Sequence, residues 1–187
     1  MNAEMYYVIG KPAYLKYDFF NHLSVASEKH SFLRIPRLFT TDEQMEGLDN
    51  TYVIDERDFL LRDSLGIYCL TWKKGDHHFG ICAEGAQWVQ NGYSVVMHGS
   101  LININQTLKV FPEMNVILLR SIDDDEAPIG NRLLESEGAH LDWVDSANGV
   151  CCPYILSFSE GAGIQSASEL LTDFIGYNHN SVLDKVG

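Results

Sequence analysis

The stretch Tyr6-Tyr7-Val8-Ile9-Gly10-Lys11-Pro12-Ala13-Tyr14-Leu15-Lys16-Tyr17-Asp18 decides how the chain is organised. Tyr6 to Ile9 is a short β-prone apolar run that stops at a glycine, and a helical pattern follows from Asp18 to Ser27. A run that is apolar at successive positions, rather than at alternate ones, suits a strand buried on both faces. Three more such runs lie downstream: Ser94 to Met97, Val116 to Leu119 and Tyr154 to Phe158. Helical patterns separate them. Ala83 to Asn91 is closed by Gly92, and Ser100 is placed to cap a helix reaching about Val110. In the last helix Ala167, Leu170, Leu171, Phe174 and Ile175 share one face. Strands alternating with helices predict an α/β fold, a parallel sheet covered on both sides.

The totals agree with one domain over 1–187. At 45% hydrophobic and 21% charged residues, the composition is that of a folded globular chain. A formal net charge of −13 argues against nonspecific binding of nucleic acid or of an anionic membrane, since both need a basic surface. It leaves room for a phosphorylated ligand, because a few local cations act over distances shorter than the screening length. The four cysteines, Cys69, Cys82, Cys151 and Cys152, form no CxxC pair and read as reduced thiols. The N-terminus carries no basic segment ahead of a long apolar one, and no apolar run approaches ~20 residues. A cytoplasmic location is the expectation.

The turn after the first strand carries the candidate chemistry. Ligands of open parallel sheets sit beyond the carboxyl ends of the strands. A phosphate-binding loop reads GxxxxGK[ST] between strand and helix. Gly10 and Lys16 stand at the required separation, but Leu15 replaces the second glycine and Tyr17 the hydroxyl residue. Glycines let backbone N–H groups turn inward around a phosphate, and a leucine resists that conformation. The Ser/Thr hydroxyl binds Mg²⁺, and the tyrosine hydroxyl lies too far out to replace it. Asp18 is an alternative oxygen donor. Lys11 and Lys16 keep positive charge beside a helix N-terminus, itself favourable to anions. A strand-to-helix turn with two surface lysines accounts for the same spacing.

Further segments, in order, carry a resemblance. Arg34-Ile-Pro-Arg37 resembles the Arg-x-Pro-Arg segment of guanylate kinases. Thr51-Tyr-Val-Ile-Asp-Glu-Arg-Asp-Phe59 resembles their Tyr-x-Phe-Val-x-x-x-x-Phe segment. Leu70-Thr-Trp72, followed by His78-Phe79-Gly80, resembles their substrate-site stretch. The Trp72 to Gly80 spacing and Gly92-Tyr-Ser-Val-Val-Met-His98-Gly99-Ser100 are similar to the ribose 1,5-bisphosphate phosphokinases, the guanylate-kinase-like enzymes of phosphonate breakdown. The resemblance covers about residues 5–176.

That resemblance implies a P-loop NTPase fold of the guanylate-kinase-like type. Its core would span about 5–30 and 80–176, with a substrate-binding insertion at about 31–79 and a shortened lid at about 123–149. It implies γ-phosphoryl transfer from ATP to an acceptor phosphate with Mg²⁺, achieved by positioning and charge neutralisation. Gly10, Lys11, Lys16, Tyr17 and Asp18 would face the donor. Lys16 and Arg132 would be catalytic. Arg34 and Arg37 would hold the acceptor phosphate through their planar forks. Trp72, Phe79, His98 and Ser100 would line the sugar or base pocket. ATP and Mg²⁺ are the cofactors if the chain is active, and none otherwise. The expected partner is a phosphorylated sugar or nucleotide, with a homodimer as a further possibility.

The sequence also departs from the family. Beside Leu15 and Tyr17, the lid reads Arg132-Leu133 and then Glu137-Gly138, which puts an acid where an arginine is expected. Asp123-Asp-Asp-Glu126 adds negative charge after the third long strand. Losing one neutralising arginine costs about 10³-fold or more in such reactions. Two readings follow: a phosphotransferase with altered or impaired ATP use, or an inactive module that binds a phosphorylated ligand or a protein. His77, His78, Cys82 and His98 match no common zinc spacing, so no metal ligand set is expected from them. No GxSxG nucleophile turn is present.

Overall fold

The computed structural model describes residues 3–11, 13–122, 132–135, 154–159 and 163–183. In chain order they form β1 (Met5–Lys11), α1 (Ala13–Lys29), β2 (Leu33–Arg34), β3 (Leu38–Thr40), β4 (Thr51–Val53), α2 (Glu56–Ser64), β5 (Tyr68–Lys74) and β6 (His77–Cys82). Then follow α3 (Glu84–Gln90), β7 (Ser94–His98), α4 (Ile104–Val110), β8 (Asn115–Ile122), β9 (Arg132–Glu135), β10 (Tyr154–Ser159) and α5 (Gly163–Leu183). Among the described residues the strands form two sheets, ordered β2-β7-β1-β8-β10-β9 and β4-β3-β6-β5.

In the first sheet β2, β7, β1, β8 and β10 run parallel, and β9 closes one edge antiparallel. The four apolar runs of the sequence are β1, β7, β8 and β10, and Tyr6 to Ile9, Ser94 to His98 and Val116 to Leu119 are buried throughout. Side chains alternate across β1. Tyr6 and Val8 face Phe19, Phe20 and Leu23 of α1 and Ile164, Ala167, Leu171 and Ile175 of α5. Met5, Tyr7 and Ile9 face a second cluster containing Leu70, Phe79, Ile81 and Ile104. Both layers exclude water, so the apolar side chains on either face of β1 gain from burial.

The second sheet is drawn from Leu38–Cys82, while β2, inside the range expected for the insertion, joins the main sheet beside β7. Strands β3 and β4 are parallel, and β5 and β6 form a hairpin around Gly75 and Asp76, with Gly75 at φ +60°. A positive φ is the conformation glycine adopts without strain. Asp55 starts α2 by accepting the Asp58 N–H at 2.7 Å, as an N-cap aspartate does. Phe59 then packs on Phe39 and Tyr68.

Two expectations are corrected. The segment from Ser100 to Val110 is not one capped helix: Leu101–Asn103 is a 3-10 turn, and α4 starts at Ile104 without a side-chain cap bond. Helix α1 starts at Ala13, five residues before Asp18. Ala13 and Leu15 are strong helix formers, and a proline just ahead of a helix loses no intrahelical bond. In the expected lid, Arg132 opens the edge strand β9, its backbone opposite Ser157. Asp123 to Glu126, Glu137, Gly138, Cys151 and Cys152 lie outside the described residues. No helix among the described residues is long and apolar enough to cross a membrane.

Candidate functional site

The chain leaves β1 toward the β2 edge and leaves β7 toward β8 on the other side. Adjacent strands whose connections diverge open a crevice at their carboxyl ends. Gly10 and Lys11 lie at that rim, still paired with Leu119 and Arg120 of β8. A Cβ on Gly10 would stand 3.1 Å from Leu119 Cβ, so the glycine permits close strand packing at this point. Of the residues expected to wrap a phosphate, Gly10 and Lys11 are the last rungs of β1 and Ala13 to Lys16 the first turn of α1.

Lys16 sits one turn into α1 and donates from Nζ to the carbonyl oxygen of Gly99 at 2.6 Å. Gly99 follows β7, so the ammonium does lie at the carboxyl rim. Burial, and then the positive charge of Lys74, lower its pKa from 10.5 to about 8. The Tyr17 ring centroid is 5.6 Å from the same ammonium and 6.4 Å from the His98 ring. Burial first, and Asp42 second, raise the Tyr17 pKa. Asp18 is exposed on the outer face of α1.

His98 ends β7 and is only 2% exposed, with its ring stacked on Phe20 at 3.6 Å. Burial, then the Lys16 charge, hold it neutral, well below the usual imidazole range. Neither ring nitrogen has a hydrogen-bond partner among the described residues. Next to it, Gly99 donates its N–H to Val8 O at 2.8 Å. A Cβ at Gly99 would lie 2.5 Å from that carbonyl. Ser100 is held by Tyr7, whose hydroxyl accepts the Ser100 N–H at 2.8 Å and donates to the Ser100 carbonyl at 3.2 Å.

The second sheet supplies the other expected groups. Trp72 and Phe79 are cross-strand partners, stacked at 5.4 Å with 7° between their planes. The two arginines are engaged elsewhere. Arg37 forms a forked pair with Glu84, Nη2 to Oε2 at 2.9 Å and Nε to Oε1 at 3.1 Å. Arg34 lies 4.4 Å from the Tyr93 ring centroid and donates to its neighbour's carbonyl, Leu33 O, at 2.7 Å. Lys16, Tyr17, His98 and Ser100 therefore gather at the rim, while Arg34 and Arg37 bind partners of their own. His78 pairs with Glu56, and Cys82 lies against Arg37. Among the described residues no group of three His, Cys, Asp or Glu side chains is placed to hold a metal.

Sequence reasoning missed Glu84, Tyr7 and Lys74. Glu84 and Tyr7 give no signal along the chain, since their partners are 47 and 93 residues away. Lys74 does give one, a basic residue at the tip of a hairpin two residues after Trp72.

No family model matches the chain. Among curated proteins it is 32% identical over 73 residues to the ribose 1,5-bisphosphate phosphokinase PhnN of Desulfomicrobium baculatum, 39% of each chain. It is 29% identical over 114 residues to that of Pantoea vagans, 54% of this chain and 64% of the relative. The matches thus span less than two-thirds of those relatives' length. Among solved structures, guanylate kinase from Anaplasma phagocytophilum superposes with a TM-score of 0.60 at 9% identity, covering 95% of this chain and 86% of that one. The fold is therefore that of guanylate kinase. The resemblance read from the segments between Arg34 and Ser100 holds: the chain is similar to ribose 1,5-bisphosphate phosphokinases.

Proposed function

We propose that this chain is a guanylate-kinase-like phosphotransferase relative that binds a phosphorylated sugar or nucleotide at the carboxyl rim of its parallel sheet and uses ATP poorly. One observation carries the reading: a half-buried lysine, Lys16, stands at the rim and donates to the carbonyl of Gly99, while Lys11 still belongs to β1 and Ala13 already to α1. The cation that a phosphate needs is retained, and the amide-lined loop that grips a triphosphate is not. The sequence similarity to ribose 1,5-bisphosphate phosphokinases supports a phosphorylated pentose as the ligand class.

Lys16 would neutralise phosphate oxygens, exchanging the Gly99 carbonyl for a charge-assisted bond. The stacked Trp72–Phe79 pair would offer an apolar wall from the second sheet. ATP and Mg²⁺ would supply the γ-phosphoryl group if transfer takes place. Tyr17 and exposed Asp18 are poorly suited to the hydroxyl's place on the ion, so slow transfer is the consistent expectation. We place the protein in the cytoplasm, where phosphorylated metabolites occur.

The test is calorimetric titration with ribose 5-phosphate and with Mg·ATP, beside a turnover assay on ribose 1,5-bisphosphate. The reading expects binding of the sugar phosphate, and turnover at least about 10³-fold below that of the Desulfomicrobium relative. Magnesium-dependent ATP binding at micromolar strength would overturn the impaired-ATP reading. Absence of sugar-phosphate binding would overturn the ligand class.

A further inference from the structure

Helix α2 covers one face of the second sheet, and the fold uses only one side of that helix. Phe59 is buried against Phe39 and Tyr68, and Arg62 pairs with Asp58 on the flank. The opposite side holds Arg57, Leu60, Leu61, Ser64 and Leu65, spaced i, i+3, i+4, i+7 and i+8, and all five are exposed. The three leucines are 50%, 56% and 67% exposed, and Ile67 extends the apolar surface past the helix at 37%. Leucines scattered singly on a surface are ordinary, whereas a stripe of them along one helix face marks a contact surface. The stripe is well held at both ends. Asp55 caps the start of α2, and the Leu65 N–H reaches back to Leu61 O at 3.1 Å.

The charges beside the stripe say what fits it. Arg57 stands three residues before Leu60, and Asp63 three residues after it. Both are exposed, and neither side chain is in an ion pair among the described residues. When a second α2 lies antiparallel on the first, with Leu60 at the two-fold axis, Arg57 of each helix faces the partner's Asp63. Symmetry makes that pair twice, with the leucines of both helices between. The face is therefore self-complementary in charge as well as in shape. A face with the same sign of charge on both sides of Leu60 would repel its own copy.

We propose that the exposed side of α2 is a two-fold interface at which this chain pairs with a second copy of itself. The helix has nine residues, about 13 Å of length. The contact is therefore smaller than the ~800 Å² per partner of a standard interface. The dimer is a weak one, with a Kd on the order of 10–100 μM.

Sedimentation equilibrium of the full chain, from about 1 to about 500 μM, reads the association. The wild type is compared with Arg57→Asp, Asp63→Arg and Leu61→Gln. All three positions are exposed. An acid in the first turn and a base in the last turn both suit the helix dipole, so the charge changes keep the helix. Each charge variant alone sets like charges against each other across the axis and should weaken the dimer at least about tenfold. Leu61→Gln should do the same by removing apolar contact. Asp63→Arg also makes the chain less acidic, so association governed by net charge alone would strengthen there instead. Mixed in equal amounts, Arg57→Asp and Asp63→Arg form a heterodimer in which both pairs carry opposite charges. Its affinity should return to within about threefold of the wild type. A wild type that is monomeric at the highest concentration overturns the proposal. So does a dimer that the variants leave unchanged, or a mixture that associates no better than either variant alone.

Discussion

Lys16 of α1 donates to the carbonyl of Gly99 at 2.6 Å, tying the first helix to the segment beyond β7 across 83 residues of chain. The contact fixes where positive charge stands relative to the sheet's carboxyl rim. It also makes the stability of the rim depend on protonation.

Stability should therefore change with pH in a window set by Lys16. Its pKa is lowered from 10.5 to about 8 in the folded chain. Between those values the unfolded chain holds more protons on this residue than the folded chain does, so stability rises with pH. Replacing Lys16 with methionine removes that contribution. Denaturant unfolding should show wild-type stability, relative to Lys16→Met, flat below pH 8 and rising up to about pH 10.5. A difference that is flat across the window would show that Lys16 is not desolvated. The Cys69 thiol, which burial pushes up to about 12, titrates in both proteins and drops out of the comparison.

Gly99→Ala should destabilise the chain by about 1–3 kcal/mol, the usual cost of overpacking a tight site. The added methyl would lie 2.5 Å from Val8 O, 2.8 Å from Ile9 Cγ2 and 2.9 Å from Tyr7 Cδ1. The first of these is backbone inside the sheet and has no room to give. A fall in urea midpoint at unchanged slope is the expected result, and an unchanged midpoint would contradict the geometry.

Tyr7→Phe should cost about 1–3 kcal/mol, because Ser100 loses hydrogen bonds at both its N–H and its carbonyl. The aromatic ring stays in the core, so packing changes little. Hydrogen exchange at the Ser100 amide separates this effect from general loosening: that amide should lose protection well beyond the β8 amides.

Arg37→Ala should cost no more than about 1 kcal/mol, since the pair with Glu84 is exposed to solvent on the arginine side. Sugar-phosphate binding should change less than about threefold, because the guanidinium is already committed to a carboxylate. A tenfold loss of binding on calorimetry would show that Arg37 leaves Glu84 to hold ligand.

The elements of this fold were legible along the chain. Four successive-apolar runs marked β1, β7, β8 and β10. One periodic face marked α5, and Gly92, at φ +88°, marked the stop after α3. These are local effects: burial of a run or a face, and a backbone angle only glycine takes easily, so sequence alone determines them. The ordered segments from Arg34 to Ser100 also carried the family resemblance.

Tertiary structure alone decided what the polar groups do. Arg37 meets Glu84, Tyr7 meets Ser100 and Lys16 meets Gly99 only because distant strands are brought side by side. Leu15 and Tyr17 depart from a phosphate loop in sequence; only the packed sheet decided that β1 reaches Lys11 and that α1 begins at Ala13. A side chain's partner depends on which elements fold over it, and that information is spread over the whole chain.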